Sequence, residues 1–309
     1  MRLRDLGENG LIDRIRQRFR TSSIPVGIGD DAAVLDIPPG NSLVYCSDLV
    51  IENTHFSRDM HPADSVGYKA VAVNVSDVGA MGGVPMSFTI ALAAPGNLDL
   101  AWVDDFYSGI ERACRDFDVV LAGGDTSSAD SIFVDVSMVG WIQTGLAVLR
   151  SGARPGDRIY VTGTLGASAL GLELLRRGQK EHAAIRRHLY PQPRHRVGHA
   201  IAKRAHAMID ISDGLSSDLT HVVRESGVSA KIYKDKLPAA DGADLTHVLH
   251  GGEDYELLVA APDLPAQIEG VPLHWIGDIV PSATENEIRL IDGPSESVLR
   301  AQGWDHYRE

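Results

Sequence analysis

The chain has 309 residues, of which 44% are hydrophobic and 23% are charged, and its net charge is −13. This composition predicts a globular protein with room for two domains, and the acidic balance argues against nucleic acid or an anionic membrane surface as partners. With only Cys46 and Cys114, and with no apolar leader or membrane-length segment, the sequence predicts a cytoplasmic protein without a disulfide framework.

Periodic hydrophobic residues predict mixed helices and strands over the first half of the chain. Apolar positions from Leu6 to Phe19 predict an amphipathic opening helix. Further helices are predicted over 62–81 and 98–117, and strands over 33–37, 43–46, 85–93, 119–122 and 131–142. Asp77 falls in line with Ala70 and Val73 on the small apolar face of the second helix, which favours an inward-facing carboxylate.

Glycine, proline and charged residues over 150–157 predict a domain boundary. We therefore expect an N-terminal domain over residues 1–149 and a C-terminal domain over residues 150–309. In the second half, strands are predicted over 158–162, 207–211, 228–233, 255–260, 273–279 and 288–291, and helices over 167–177, on both sides of 191–193, and up to residue 225.

Acidic residues recur in turns that follow apolar strands or end a helix. These turns are Gly29-Asp30-Asp31, Ser47-Asp48, Ser76-Asp77, Gly123-Gly124-Asp125, Asp210-Ile211-Ser212-Asp213 and Gly251-Gly252-Glu253-Asp254. Two like charges about 5 Å apart repel by about 3 kcal/mol at an effective dielectric constant of about 20. Divalent cations reverse this effect, because carboxylates hold the metals and the metals hold phosphates. The turns therefore predict one site with several Mg²⁺ ions and a nucleoside triphosphate.

Two common nucleotide motifs do not explain this pattern. Residues 27–32 formally fit G-x-G-x-x-A, but Pro38 and Pro39 leave no room for the helix that this dinucleotide fingerprint requires. The chain also contains no G-x-x-x-x-G-K-[ST] sequence, which argues against a P-loop NTPase.

The acidic turns resemble those of the thiamine-monophosphate kinase family in sequence and in order. The resemblance runs from Leu6 through Asp210-Ile211-Ser212-Asp213-Gly214 and Gly251-Gly252-Glu253-Asp254-Tyr255 to Gly303-Trp304-Asp305-His306-Tyr307. It implies a mixed α/β, two-domain fold of the aminoimidazole-ribonucleotide-synthetase superfamily. In that fold the N-terminal α/β domain binds ATP and metal and pairs its sheet across a homodimer, and a C-terminal α/β sandwich completes the active site.

The resemblance further implies an enzyme that transfers a phosphoryl group from ATP to thiamine monophosphate, with Mg²⁺, in the last step of thiamine diphosphate biosynthesis. The implied metal ligands are Asp30, Ser47, Asp48, Asp77, Asp125, Asp210 and Asp213. The implied ATP contacts are Tyr107, Gly124, Asp125, Arg150 and Ser212, and the implied substrate contacts are His55, Glu253 and Trp304. Cys46 departs from the family pattern, which commonly has threonine there.

The chemistry of this reaction agrees with the residue types present. A phosphate acceptor is already largely dianionic at neutral pH, since its second pKa is about 6. Direct in-line transfer then requires positioning and charge neutralisation and no catalytic general base.

Two alternatives stay open at the level of the sequence. One is another ATP-using enzyme of the same superfamily, although the reactive cysteines and the Asp-Gly-Val-Gly-Thr-Lys segment of its members are not found at the corresponding positions. The other is a protein that binds Mg²⁺ and ATP as a sensor without catalysis, or a calcium-stabilised scaffold, although no D-x-[DN]-x-[DN]-G loop occurs.

Overall fold

The computed structural model describes residues 1–19, 21–29, 31–282 and 285–304. The chain forms two compact units: Met1–Val78 with Val84–Gly145, and Gly79–Gly83 with Leu146–Glu309. Both units combine helices with a sheet, so the predicted mixed α/β class is confirmed. Within the described residues, no helix is both long and apolar enough to cross a membrane.

The first unit builds one sheet and packs its helices on it. Its elements are α1 (Leu3–Arg18), β1 (Asn41–Ile51), α2 (Ala63–Ala80), β2 (Val84–Ala94), α3 (Leu100–Phe117), β3 (Val120–Ser128) and β4 (Phe133–Gln143). The strands pair in the order β1-β4-β2-β3; β2 and β3 are parallel and the other pairs antiparallel. The strand predicted over 33–37 is wrong, because Val34 forms only an isolated bridge with Val26.

Helix α2 is buried on all sides from Ser65 to Ser76. It lies so close to α3 that a Cβ atom on Gly67 would stand 2.1 Å from the carbonyl oxygen of Phe106, and one on Gly109 would stand 1.8 Å from that of Asp64. Glycine at both contacts therefore allows the two helix backbones to touch, which explains why α2 shows no simple amphipathic stripe.

The second unit surrounds one large sheet with helices. Its elements are β5 (Arg158–Thr162), α4 (Ala167–Arg176), α5 (Ala183–Leu189), α6 (His195–Ile201), β6 (Ala207–Asp210), α7 (Leu215–Ser226), β7 (Ser229–Tyr233), α8 (Leu245–His250), β8 (Leu257–Ala261), β9 (Gln267–Ile268), β10 (Val271–Val280), β11 (Ile288–Asp292) and β12 (Ser295–Val298). The strand order is β12-β11-β7-β10-β5-β8-β6, and β9 pairs with β10.

Both faces of this sheet are buried. Along β8, Leu258 packs in a core with Leu219 of α7, whereas its neighbours Leu257 and Val259 pack in a second core with Ile201 of α6. Alternate residues of a strand point to opposite faces, so helices cover the sheet on each side. The predicted C-terminal α/β sandwich is confirmed.

Candidate functional site

The first unit contains a cavity of about 770 Å³ along β3 and the neighbouring part of β2. Three residues predicted to contact ATP line it: Tyr107, Gly124 and Asp125. The glycine turn at 27–29 and residues 31–33 form another part of its wall. The volume lies within the roughly 300–1,000 Å³ typical of small-molecule sites. The structure thus brings the predicted nucleotide residues of this unit into one pocket.

Tyr107, which lines this cavity, packs against other aromatic rings. It is buried on α3, and its ring lies 5.2 Å from that of Phe106 and 6.0 Å from that of Phe19. Burial raises the pKa of the Tyr107 phenol, so the side chain stays neutral. A neutral, fixed aromatic ring can stack on a nucleobase or donate a hydrogen bond, but it cannot act as a base at neutral pH.

Ser47 and Asp48 project to opposite faces of β1. Ser47 Oγ donates a hydrogen bond to Asp135 Oδ1 of β4 over 2.6 Å, on the open face of the sheet. Cys46 lies on the other face, where its Sγ contacts the Asn74 backbone oxygen of α2 at 3.6 Å, and the strand alternation places Asp48 on that same side. The two predicted metal ligands therefore do not share a face of the sheet.

Two further predicted residues of the first unit lie near β1. Asp77 is half-buried on α2, one turn beyond Asn74, and so belongs to the helix-covered side of the sheet. His55 follows β1, and its Nδ1 accepts a hydrogen bond from the Ile51 backbone N–H over 3.0 Å. This bond fixes the neutral tautomer with the proton on Nε2. Asp30 lies outside the described residues.

In the second unit, the predicted acidic turn follows β6 and opens α7. Asp210 is the last residue of β6, Gly214 caps α7, and Ser212 and Asp213 lie between them, partly exposed. Asp218 of α7 folds back onto this turn and accepts hydrogen bonds from the backbone N–H groups of Asp213 (3.1 Å) and Gly214 (3.0 Å). Burial, together with the charges of Asp210 and Asp213, raises the pKa of Asp218 well above its ordinary value.

The predicted substrate residues Glu253 and Trp304 both meet this turn. The Glu253 backbone N–H donates to the Ser212 carbonyl over 2.7 Å, and that of Trp304 donates to the Asp213 carbonyl over 3.1 Å. The Trp304 side chain is 55% exposed. The structure thus places a predicted ATP contact, a predicted metal ligand and two predicted substrate contacts side by side in one unit.

Arg150 approaches the same turn from the start of the second unit. It is exposed, and its positive charge helps to lower the pKa of His221 on α7, after the larger effect of burial, while the charge of Asp213 raises that pKa. His221 therefore lies within electrostatic range of both Arg150 and Asp213. An arginine in this position is suited to a phosphate group.

Buried acids anchor the segment that carries Glu253. Asp254 accepts hydrogen bonds from the backbone N–H groups of Gly166 (2.6 Å) and Ser168 (3.1 Å) at the start of α4. Glu256 bonds to Arg194 at 2.6 and 2.7 Å and to Arg187 at 2.7 Å. The Glu253 carboxylate is thus partly exposed, while the buried acids Asp254 and Glu256 fix the neighbouring backbone.

The stability contribution of Asp254 should fall as the pH rises. Burial raises its pKa from 3.8 to about 6, against the opposing effect of the Gly166 and Ser168 hydrogen bonds. Because the folded state binds this proton more tightly than the unfolded state, stability decreases between pH 4 and pH 6, by about 3 kcal/mol. Asp254→Asn removes this titration but weakens the cap. Urea unfolding at pH 4.5 and pH 7 should therefore show that the substitution is more destabilising at pH 4.5; an equal cost at both values would contradict the assignment.

The donor atoms in both units fit Mg²⁺ better than zinc. They are carboxylate and hydroxyl oxygens, which hard cations prefer. In the second unit, the repulsion among Asp210, Asp213 and Asp218 is of the kind that a divalent cation reduces. In the described residues, however, no group of three or more His, Cys, Asp or Glu side chains has a metal-binding arrangement.

Asp135, Asp218 and His188 are residues of these sites that sequence reasoning did not select. Asp135 lines the cavity of the first unit, and Asp218 and His188 bond to residues of the acidic turns of the second. Asp218 could have been found from its position five residues after Asp213 in the opening of a helix. The roles of Asp135 and His188 depend on cross-strand and interhelix contacts that a sequence does not display.

Comparison with known proteins places both units in one family. Residues 29–142 match AIR synthase related protein, N-terminal domain, and residues 154–271 match AIR synthase related protein, C-terminal domain. A thiamine-monophosphate kinase of Salmonella typhimurium is 39% identical, covering 97% of this chain and 98% of the relative. One of Aquifex aeolicus is 40% identical, covering 99% of this chain and 100% of the relative.

A solved structure agrees with these relatives. It is described as AaThiL complexed with AMPPCP and TMP, and it matches this chain with a TM-score of 0.79 and 36% identity. The match covers 99% of each chain, so it includes both units.

Proposed function

Because the chain belongs to the thiamine-monophosphate kinase family, we infer that it transfers the γ-phosphoryl group of ATP to thiamine monophosphate, giving ADP and thiamine diphosphate. The observation that carries this inference is the full-length similarity to kinases of this name, joined to the grouping of Ser212, Asp213, Glu253 and Trp304 around one turn. The predicted enzyme class, a phosphotransferase with a phosphate group as acceptor, is confirmed.

We propose that the cavity of the first unit, which Tyr107, Gly124 and Asp125 line, binds ATP, and that Arg150 and Ser212 are further ATP contacts. Magnesium would be held by carboxylates and a hydroxyl and would supply charge neutralisation for the transferred phosphoryl group. The proposed ligands are Asp30, Ser47, Asp48, Asp77, Asp125, Asp210 and Asp213.

The chain's own residues have mainly to position the substrates. The acceptor phosphate is largely a dianion at neutral pH and attacks without a general base. We propose that His55 and Glu253 contact thiamine monophosphate, with the Glu253 carboxylate facing its positively charged ring system.

We also propose that the two domains have different tasks: residues 1–149 bind ATP and metal, and residues 150–309 complete the active site. The thiols of Cys46 and Cys114 support a cytoplasmic location.

The reaction is tested directly by turnover. The purified chain should convert ATP, Mg²⁺ and thiamine monophosphate into equal amounts of ADP and thiamine diphosphate, separated by chromatography. EDTA, or free thiamine in place of the monophosphate, should abolish the product. ADP without thiamine diphosphate would indicate a different acceptor, and MgATP binding without turnover would favour a sensor.

The Trp304 indole should stack on the aromatic rings of the substrate. The side chain is 55% exposed and its backbone is held on Asp213, and a cation–π contact of the indole with the positively charged ring system would contribute about 1 kcal/mol. Trp304→Ala should raise the KM for thiamine monophosphate about fivefold and leave the KM for ATP within twofold. Steady-state kinetics with each substrate varied in turn measures both values, and an unchanged KM for thiamine monophosphate would exclude stacking.

We also propose a homodimer formed through the open face of the first unit's sheet. On this face of β1, three large apolar side chains are exposed to solvent, on either side of Ser47: Leu43 is 56% exposed, Tyr45 64% and Leu49 52%. Exposed large apolar side chains grouped on one face are typical of a protein interface. Light scattering coupled to gel filtration should give the mass of two chains, and Leu49→Lys should lower it to one; a wild-type monomer at micromolar concentration would contradict the proposal.

A further inference from the structure

Helix α5 carries a buried histidine that contacts the partly exposed Glu253 of the Gly-Gly-Glu-Asp segment. His188 is 2% exposed, and its Nδ1 lies 3.2 Å from Glu253 Oε2 and 2.9 Å from Ser168 Oγ. The Glu253 side chain itself remains 28% exposed. The histidine is therefore buried behind a carboxylate that still reaches solvent.

The neighbouring carboxylate determines the tautomer of His188. An ionised carboxylate only accepts hydrogen bonds, so Nδ1 must carry the proton that it shares with Glu253 Oε2. Ser168 Oγ then accepts from the same N–H. In the opposite tautomer, the Nδ1 lone pair would face the carboxylate and repel it. The hydrogen bond therefore runs from the His188 Nδ1–H to the Glu253 carboxylate.

The backbone of Glu253 also requires support. Its φ is +62°, in the left-handed region, where a non-glycine residue costs about 1 kcal/mol or more. The backbone bond to Ser212 holds one side of the residue, and His188 holds its side chain. Next to His188, Arg187 bonds to Glu256, three residues after Glu253. Helix α5 therefore contacts this segment at two acidic side chains, Glu253 and Glu256.

We propose that His188 is a positioning residue for substrate binding, which aims the Glu253 carboxylate at the cationic ring system of thiamine monophosphate. This inference rests on the proposed function, since it assigns the substrate to Glu253. It predicts that removing the hydrogen bond from His188 to Glu253 lowers the affinity for thiamine monophosphate. The affinity for ATP should not change.

The test is a double-mutant cycle between His188 and Glu253. His188→Gln places its amide near the position of Nε2 and so removes the donor at Nδ1, whereas His188→Asn keeps a donor near Nδ1. His188→Gln should raise the KM for thiamine monophosphate about tenfold, as expected for a hydrogen bond to a charged group. His188→Asn should recover most of this loss, and the KM for ATP should stay within twofold in both variants.

The matched control is His206→Gln. His206 is a half-buried histidine of the same unit whose Nδ1 lies 2.9 Å from both carboxylate oxygens of Asp157, so the substitution breaks a similar pair elsewhere. We expect the effects of His188→Gln and Glu253→Gln to overlap, so that the double variant is no worse than Glu253→Gln alone. The effects of His206→Gln and Glu253→Gln should be independent.

Calorimetric titration of thiamine monophosphate into the variants, with AMPPCP and Mg²⁺ present, gives the same comparison without turnover. If His188→Gln lowers the thermal midpoint by more than about 5 °C, His188→Leu, which removes the same donor and leaves no polar group in its place, supplies the comparison. Multiplicative effects of His188→Gln and Glu253→Gln, or equal changes in both KM values, would overturn the proposal. A wild-type protein that makes no thiamine diphosphate would instead refute the proposed function.

Discussion

Replacing Asp213 with asparagine is expected to lower kcat at least 100-fold while leaving the protein folded. Asp213 lies between the predicted ATP contact Ser212 and the backbone of Trp304, and its charge acts on Asp218 and His221. Asparagine keeps the shape and the backbone carbonyl but removes the negative charge that would hold Mg²⁺. Loss of about 3 kcal/mol of transition-state stabilisation corresponds to this factor.

The same substitution should slightly stabilise the protein when no metal is added. Removing the charge of Asp213 lessens its repulsion with Asp218, so the thermal midpoint in EDTA should rise or stay unchanged. The concentration of Mg²⁺ that gives half-maximal activity should increase. Asp241→Asn, at an exposed acid in a turn before α8, is the control and should behave as wild type. Near-normal kcat for Asp213→Asn at saturating Mg²⁺ would remove this residue from the metal site.

Glu256→Gln is expected to be the most destabilising conservative substitution among the acids of the second unit. The Glu256 side chain is fully buried and bonds to Arg187, Arg194 and Thr162 Oγ1, the last at 2.6 Å. A neutral amide leaves both guanidinium groups without their counter-charge and makes fewer acceptor contacts. Breaking a buried ion pair in this way costs about 3–5 kcal/mol, which lowers the thermal midpoint by roughly 6–20 °C in a unit of this size.

Asp263→Asn is the matched control for Glu256→Gln. Asp263 also pairs with an arginine, Arg158, at 3.1 Å, but its side chain is 80% exposed. Such a surface pair contributes less than about 1 kcal/mol. Differential scanning calorimetry of the two variants compares the same chemical change in buried and exposed positions. If both variants lowered the thermal midpoint by a similar small amount, water or side-chain movement would have to compensate for the lost charge of Glu256.

Helices and buried strands could be predicted from the sequence because each has a hydrophobic period that is visible within a short stretch of residues. The helix predicted over 98–117 is α3, Leu100–Phe117, with Asp99 as its cap. The strand predicted over 33–37 failed because apolar residues alone do not make a strand without a neighbour to pair with. Among the described residues of 33–37, Val34 forms an isolated bridge with Val26, which is not enough for a strand.

The sequence predicted which residue types form the candidate site, but it predicted their positions in the fold only in part. Tyr107, Gly124 and Asp125 meet in one cavity, as expected, and Ser212, Glu253 and Trp304 meet at one turn. The separation of Ser47 from Asp48 follows from strand alternation and could have been predicted. In contrast, the Ser47–Asp135 bond depends on the register of β1 with β4, which pairs Ser47 with Ser137 and which no local pattern specifies.

Residues Gly79–Gly83 belong to the second unit, although they lie in the chain between two segments of the first. A single cut therefore cannot separate the two units intact. These five residues complete the second unit: Gly82 O accepts a hydrogen bond from His199 Nδ1, and Met81 O accepts one from the Val148 N–H. Gly79 also packs against His195. A fragment that starts at residue 146 would lose these partners. A peptide that covers 79–83, added in trans, should therefore raise the melting temperature of that fragment.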